Sequence, residues 1–446
     1  MNKALSFLRP LRAFLTLWAG QSVSRLGSEM TAFALTIWAF QQQGTVGTTA
    51  LLSVCHLLPM VLVSPVIGPV VDSRDKKRLM LLADSLAAAV SLGLMTLAGL
   101  GLLRVPVMYA ANALLGVCDA VQSPASAVAV SALVPREHDV RVSALQSLSG
   151  SLVSILAPAL SMGVLALGGL QAVLLCDLGS FLVGVAALLV TRIPPCGMTQ
   201  ALPFRQALCG GLRFLRTAPG IRVLVGYQVL INLLAGISYY SVLSPMLLLR
   251  AGGDPMVPGL VSSFVGVGAL AGAALVTLRP ARGSLSRAMC VSYCLSFALS
   301  DLLMGVGRTP LSWYVAALVG NLPLPLGDGC LMALYRRGIP LSCQGRVFAL
   351  RGALVQAACV LGYLLGAFLS DRVVPVLSAG EGPAARLIAA LVGTGAGRAL
   401  GILFVMTAVL GGLASLAVWR SAPVRDLERG ETPREPDDPA TLTESL

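Results

Sequence analysis

Apolar residues run through this chain in blocks of about 20 to 30, set apart by short polar stretches, with neither the alternation of a half-buried strand nor the narrow stripe of a soluble helix. The blocks cover 12–40, 49–71, 79–103, 105–133, 143–168 and 171–192. After a longer hydrophilic stretch come 221–249, 256–278, 286–307, 309–335, 347–371 and 397–419. A bilayer core about 30 Å thick is crossed by about 20 helical residues, so each block is long enough to span it. The pattern predicts an all-α polytopic membrane protein with twelve transmembrane helices. Residues 1–192 form one six-helix half and 221–420 the other. Between them lies a cytoplasmic linker, 193–220, with Arg205, Arg213 and Arg216. Residues 421–446, rich in Pro, Glu and Asp, are expected to be a disordered cytoplasmic tail. The basic N-terminus ahead of the first block has the look of a leader. Arg25 and Glu29 inside that block, and the want of an A-x-A cleavage pattern, favour a retained first helix.

Composition agrees. Of 446 residues, 56% are hydrophobic and 12% charged, with a mean hydropathy of +0.83; a soluble domain carries roughly 25% charged residues. The net charge of +12 is not gathered into a patch for nucleic acid but distributed between the blocks. With the N-terminus inside, the inner connections hold 25 Lys and Arg, whereas the outer ones hold Arg104, Arg250, Arg308, Arg372, Arg386 and Arg398. That bias predicts a cell inner (plasma) membrane protein with both termini cytoplasmic. Ten scattered cysteines and only His56 and His138 argue against a metal cluster or a disulfide framework. No phosphate-binding G-x-x-x-x-G-K-[ST] loop or catalytic triad occurs, so neither an enzyme nor a primary pump is expected. The expectation is no cofactor, a proton gradient as driving force, a small-molecule substrate, lipid neighbours and a monomeric chain.

The halves repeat. Asn112 and Asp119 in the fourth block match Asn321 and Asp328 in the tenth, each pair spaced by seven residues, two turns of one helix face. Further on, VPREHDVRVSAL (134–145) parallels IPLSCQGRVFAL (339–350), aligning Pro135 with Pro340 and Arg141 with Arg346. Two related six-helix halves with a polar site between them at mid-membrane is a transporter architecture.

The loop between the second and third blocks, Gly68-Pro-Val-Val-Asp72-Ser-Arg74-Asp-Lys76-Lys77-Arg78, resembles the signature Gly-x-x-x-Asp-Arg-x-Gly-Arg-Arg of the major facilitator superfamily, with Ser73 and Asp75 as departures. Lys76, Lys77 and Arg78 are expected to anchor the third helix at anionic headgroups. Asp72 is expected to pair across the cytoplasmic face, with Arg141 and Arg346 at an inner gate. Closer still, WAGQSVSRLGSEMTAFALTIW (18–38), DAVQSPASAVAVSALVP (119–135), QGRVFALR (344–351) and GRALGILF (397–404) are similar to the macrolide-efflux-like branch. The resemblance spans nearly all of 12–420. It implies two pseudo-symmetric halves in the major facilitator fold and a drug or metabolite exporter driven by proton entry.

Ionisable groups within spans are costly, so each is a candidate for function. Arg25 and Glu29, at i and i+4 with Gln21 and Trp18 on the same side, form either a self-neutralising pair or a releasable one. Asn112, Gly116, Asp119, Ser123 and Ser126 make one stripe toward the cavity, and Asp119 and Glu29 lead the proton-coupling candidates, with Arg25 and Asp328 behind them. Gln21, Asn112, Ser123, Gln228, Asn232, Tyr239 and Asn321 are candidates for the substrate cavity, the last helix-seven trio by shared face. His56, followed by Pro59, reads as a packing residue; Asp84, Asp177 and Asp301 read as structural. An importer or lipid translocator on the same scaffold, and a non-transporting receptor or assembly factor, remain alternative readings.

Overall fold

A computed structural model describes residues 12–134, 139–193, 204–278, 283–378, 382–395 and 397–429. The chain forms α1 (Arg12–Gln43), α2 (Val46–Ser73), α3 (Lys76–Gly99) and α4 (Val105–Leu133). The run Asp139–Val190 contains α5 (139–168) and α6 (170–190). Then come α7 (Phe204–Thr217), α8 (Pro219–Arg250), α9 (Met256–Leu278), α10 (Leu285–Val306) and α11 (Pro310–Gly338). The last are α12 (341–378), α13 (Pro383–Val392), α14 (Gly401–Arg420) and α15 (Ala422–Arg429). Ten described segments are long and apolar enough to cross a membrane. One of them, Ser149–Val190, holds two helices, and α1 brings its charges into a further 32-residue helix, so the architecture is consistent with twelve crossings. Ends are called inner or outer below according to the charge count.

Gly169 makes the α5–α6 reversal, with φ 66° and ψ −169°, a conformation open to glycine. The contacts with α1 show the reversal. Ser149 and Ser161 on α5 meet Ser22 and Met30 in ascending order, whereas Ser180 on α6 donates to the Ser24 carbonyl on the way back. Between α1 and α6 the backbones come close because Gly20 lies against Ala187 and Gly27 against Ser180; a Cβ at either would sit 2.2 or 2.1 Å from its neighbour.

In the second half, one core gathers Leu224, Tyr227, Tyr293, Leu334 and Tyr335 toward the inner end. The amphipathic α7, inside the sequence-defined linker, contributes Phe214 and Leu215 to it, and α15 contributes Val424 and Leu427. The start of the supposed disordered tail is therefore a docked helix. Glu428 on it accepts from Ser284 Oγ (2.8 Å), Ser286 Oγ (2.5 Å) and the Leu285 amide, covering the N-terminus of α10. Burial alone would push the Glu428 carboxyl up, but these hydrogen bonds outweigh it and hold it below its ordinary value.

Among the described residues, three turns open into π-helix, at 236–242 in α8, 297–302 in α10 and 369–373 in α12. Arg250, at the outer end of α8, is directed inward and donates to five carbonyls, those of Met304, Gly305, Gly307, Gly397 and Arg398, at 3.0–3.3 Å. It thereby closes the C-terminus of α10, where the helix dipole favours a cation.

The described contacts between halves lie at mid-membrane and outward. Ile37, Phe40 and Val46 share a core with Val242, Met246, Leu247 and Trp313. Gly259 and Gly266 on α9 pack against Met162 and Ile155 on α5. Asp371, in the π turn of α12, accepts from the first amides of α2, Val46 N (3.0 Å) and Gly47 N (2.6 Å). The carboxylate of one half thus caps a helix of the other and closes the outer end.

Candidate functional site

The first half supplies an acidic wall. Asp119 lies near the middle of the 29-residue α4, and its side chain is 57% exposed although it belongs to a spanning segment. Its Oδ2 is 3.2 Å from Nε2 of His56 on α2. Gly116, one turn earlier, lets α4 approach α2 so closely that a Cβ there would sit 2.0 Å from the His56 carbonyl oxygen. His56 is therefore more than the packing residue the sequence suggested, being the partner of Asp119. Ser123, one turn on, is exposed as expected.

Gln21 on α1 donates to Asp84 (3.1 Å) and accepts from Gln122 (2.9 Å), joining α1, α3 and α4. Asp84 is buried and turned to this network. Arg25 and Glu29 are both exposed, 4.0 Å apart. At 100° per residue they lie roughly opposite Gly20, Ser24 and Gly27, the face that packs on α6.

The second half answers with a mixed cluster. Asp328 on α11 is exposed and accepts from the Tyr293 hydroxyl. Gln228 on α8 accepts from Arg351 Nε (2.5 Å) and the Tyr335 hydroxyl (3.1 Å), while the Arg351 guanidinium lies 5.0 Å from the centre of the Tyr335 ring. Arg351 was counted with the cytoplasmic residues in the sequence. It sits ten residues into α12, about 15 Å from its inner end. Asn232 donates to the Gln228 carbonyl and receives the Cys359 thiol (3.8 Å).

Three expected cavity residues are placed elsewhere. Asn112 and Asn321 are buried, and each donates to the carbonyl four residues back, Met108 and Ala317 (2.9 and 2.7 Å). The repeat is real at these positions, but the amides serve their own helices. Tyr239 hydrogen-bonds Ser300 and stacks edge-on against Phe404, inside the second half. Tyr240, 55% exposed beside Tyr363, occupies the open face instead. An α-helix aligns 228, 232 and 239; the π turn at 236–242 inserts one residue and moves the face to 240.

The signature loop is also rearranged. Asp75, a departure from the family pattern, is the N-cap of α3 and accepts from the amides of Lys77 (2.9 Å) and Arg78 (3.2 Å). Lys77 donates to the Leu189 and Thr191 carbonyls (both 2.8 Å), capping the end of α6 rather than meeting headgroups. Lys76 is buried, whereas Arg74 and Arg78 are exposed. The side chains of Gly68, Asp72, Arg141 and Arg346 lie outside the described residues.

Residues 5–323 match the family described as transmembrane secretion effector. Macrolide efflux protein A of Streptococcus pyogenes is 25% identical over 374 residues, which covers 81% of this chain and 90% of that protein. Among solved structures, the nucleoside transporter NupG superposes with a TM-score of 0.68 at 11% identity, covering 92% of this chain and 99% of that one. A bacterial homologue of the iron transporter ferroportin, in its inward-facing state, gives 0.65 at 16% identity with the same coverage. With ten described apolar spans around a polar mid-membrane wall and a family match over most of its length, the chain belongs to the transmembrane secretion effectors, transporters of the major facilitator superfamily in the macrolide-efflux-like branch.

Proposed function

We propose that this chain is a proton-coupled antiporter of the cell inner membrane, with both ends in the cytoplasm, that exports a small organic compound by alternating access. One observation carries the reading: Asp119, an exposed carboxylate in the middle of a span, faces His56 across 3.2 Å on the wall of a bundle closed at its outer end. A carboxylate there costs on the order of 3 kcal/mol to insert, a cost retained only where the charge is used. Substrate entering from the cytoplasm meets Asp119 and Glu29. A proton arriving from outside neutralises Asp119, weakens the hold on substrate and lets the carrier reset inward.

A growth-inhibition screen of a strain lacking the gene identifies a transported compound, and inside-out vesicles then give direction and coupling. Asp119→Asn is expected to exchange labelled for unlabelled compound at near wild-type rate while losing uphill accumulation driven by an imposed pH gradient. Full gradient-driven accumulation by this variant refutes the assignment. Accumulation only in right-side-out vesicles would make the protein an importer.

A further inference from the structure

Two buried carboxylates outside the cavity wall are built alike. In the first half Asp177 on α6, 1% exposed, accepts from Ser28 on α1 (3.3 Å) and Ser91 on α3 (2.8 Å). In the second half Asp301 on α10, 4% exposed, accepts from Ser238 on α8 (3.1 Å) and Thr407 on α14 (2.7 Å). The repeat pairs α1 with α8, α3 with α10 and α6 with α14. Position 28 matches 238, and 91 matches 301, both 210 apart, as close to the offset of the Asn–Asp repeat as one residue. Thr407 stands further along than this offset allows because an outer segment carrying α13 precedes α14. Both junctions therefore join the equivalent three helices through one carboxylate and hydroxyls from the other two helices, Thr31 on α1 adding a further hydroxyl beside Asp177. The carboxylate has changed places: it sits on the sixth helix of one half and the third helix of the other.

We infer that Asp177 and Asp301 are duplicated clasps, positioning residues that tie a cavity helix (α1 or α8) to the two helices behind it. A function kept while its carboxylate moves between helices belongs to the junction, not to one backbone position. In the second half the clasp has a second consequence. Ser238 and Asp301 both lie in π turns, and the Ser238 bond holds the widened turn of α8 that brings Tyr240, not Tyr239, to the open face. The groups turned toward Asp301 from its neighbours are the hydroxyls of Ser238 and Thr407. Tyr239, the titratable neighbour on α8, has its own hydroxyl on Ser300. Arg250, the cation at the outer end of α10, is occupied by backbone carbonyls.

The test is cysteine labelling of the full-length protein in membranes, read peptide by peptide by mass spectrometry so that the native cysteines stay. With a water-soluble maleimide, Tyr240→Cys is expected to react several-fold faster than Tyr239→Cys. Removing the clasp with Asp301→Ala lets the π turn relax to α-helix, so the order of the two rates should reverse or level. The double variant Asp301→Ser with Thr407→Asp returns the carboxylate to the sixth-helix position used in the first half and should restore the wild-type order. Asp301→Asn should keep it too, since both hydroxyls use the one oxygen, Oδ1. If Asp301→Ala fails to fold, the last two variants still decide. Unchanged labelling in a folded Asp301→Ala, or a folded double variant that does not restore the wild-type order of the two rates, overturns the clasp. The labelling arm needs no substrate, so it stands or falls apart from the exporter reading.

Discussion

The capping of α2 by Asp371 is the contact whose removal should shift the carrier most cleanly between states. Two helix N-terminal amides of the first half, Val46 and Gly47, reach a carboxylate of the second half at 3.0 and 2.6 Å. Losing an N-cap acceptor costs about 0.5–2 kcal/mol, and the charge on the helix dipole adds about 0.3–1 kcal/mol at a partly exposed site. The contact can exist only while the outer end is closed, so the whole cost falls on one side of the equilibrium. Together these come to about 1–3 kcal/mol, so Asp371→Ala should raise the outward-open to inward-open ratio by a factor of about 5–150. Gly47→Ala offers an independent perturbation. Alanine favours the helix itself, yet its Cβ would lie 2.8 Å from Asp371 Oδ2, so the same direction is expected. Spin labels at Leu102 and Leu311, exposed residues at the outer ends of the two halves, would report the separation by double electron–electron resonance. A longer-distance population should grow in both variants. Superimposable distance distributions for wild type and Asp371→Ala would refute the reasoning.

Arg250→Lys retains the charge but cannot serve five spread carbonyls, and it should lower unfolding stability by about 1–3 kcal/mol, read as a reduced Tm in detergent. Gly116→Ala forces α4 away from the His56 backbone; overpacking of this kind costs about 1–3 kcal/mol, and it should slow transport even in variants that fold. Glu428, with its folded pKa depressed, adds stability that is present above its unfolded value, about 4.3, and is lost as pH falls through the folded one. The protection of the 422–429 amides, taken relative to their intrinsic exchange rates, should therefore fall on acidification below about pH 4, and Glu428→Gln should lower it at neutral pH as well.

The spans were legible from residue chemistry because lipid demands long apolar helices, and no other signal competes with that demand. The repeat of Asn112–Asp119 in Asn321–Asp328 correctly located equivalent turns of α4 and α11. Which member of each pair faces the cavity was not legible, because an amide can satisfy itself on its own helix four residues back. Tyr239 was misplaced by a single residue, since a π turn has no simple sequence mark and rotates everything beyond it. Asp75 read as a flaw in a motif, whereas its N-cap role follows from its position just ahead of Lys76. Arg250 read as an ordinary outer-loop charge, and Asp371, at the edge of an apolar block, drew no reading at all. Their partners, an α2 amide pair and the end of α10, are distant in sequence and are backbone groups, which no side-chain pattern encodes. His56 could have been found by asking what Gly116 was making room for, but that question needs α2 and α4 already side by side.

The packing of α1 has a consequence for biogenesis. Gly20, Ser24 and Gly27 are built to receive Ala187, Gly184 and Ser180, the last span of the first half to be made. Made well ahead of α6, α1 thus waits for roughly 150 further residues, on the order of ten seconds or more at 5–20 residues per second, before its small-residue groove is filled. Throughout that delay Arg25 and Glu29 have chiefly each other for company, on the least apolar of the crossings. Translation speed between α2 and α6, and not only the strength of the finished contacts, should govern how much of the protein is correctly inserted.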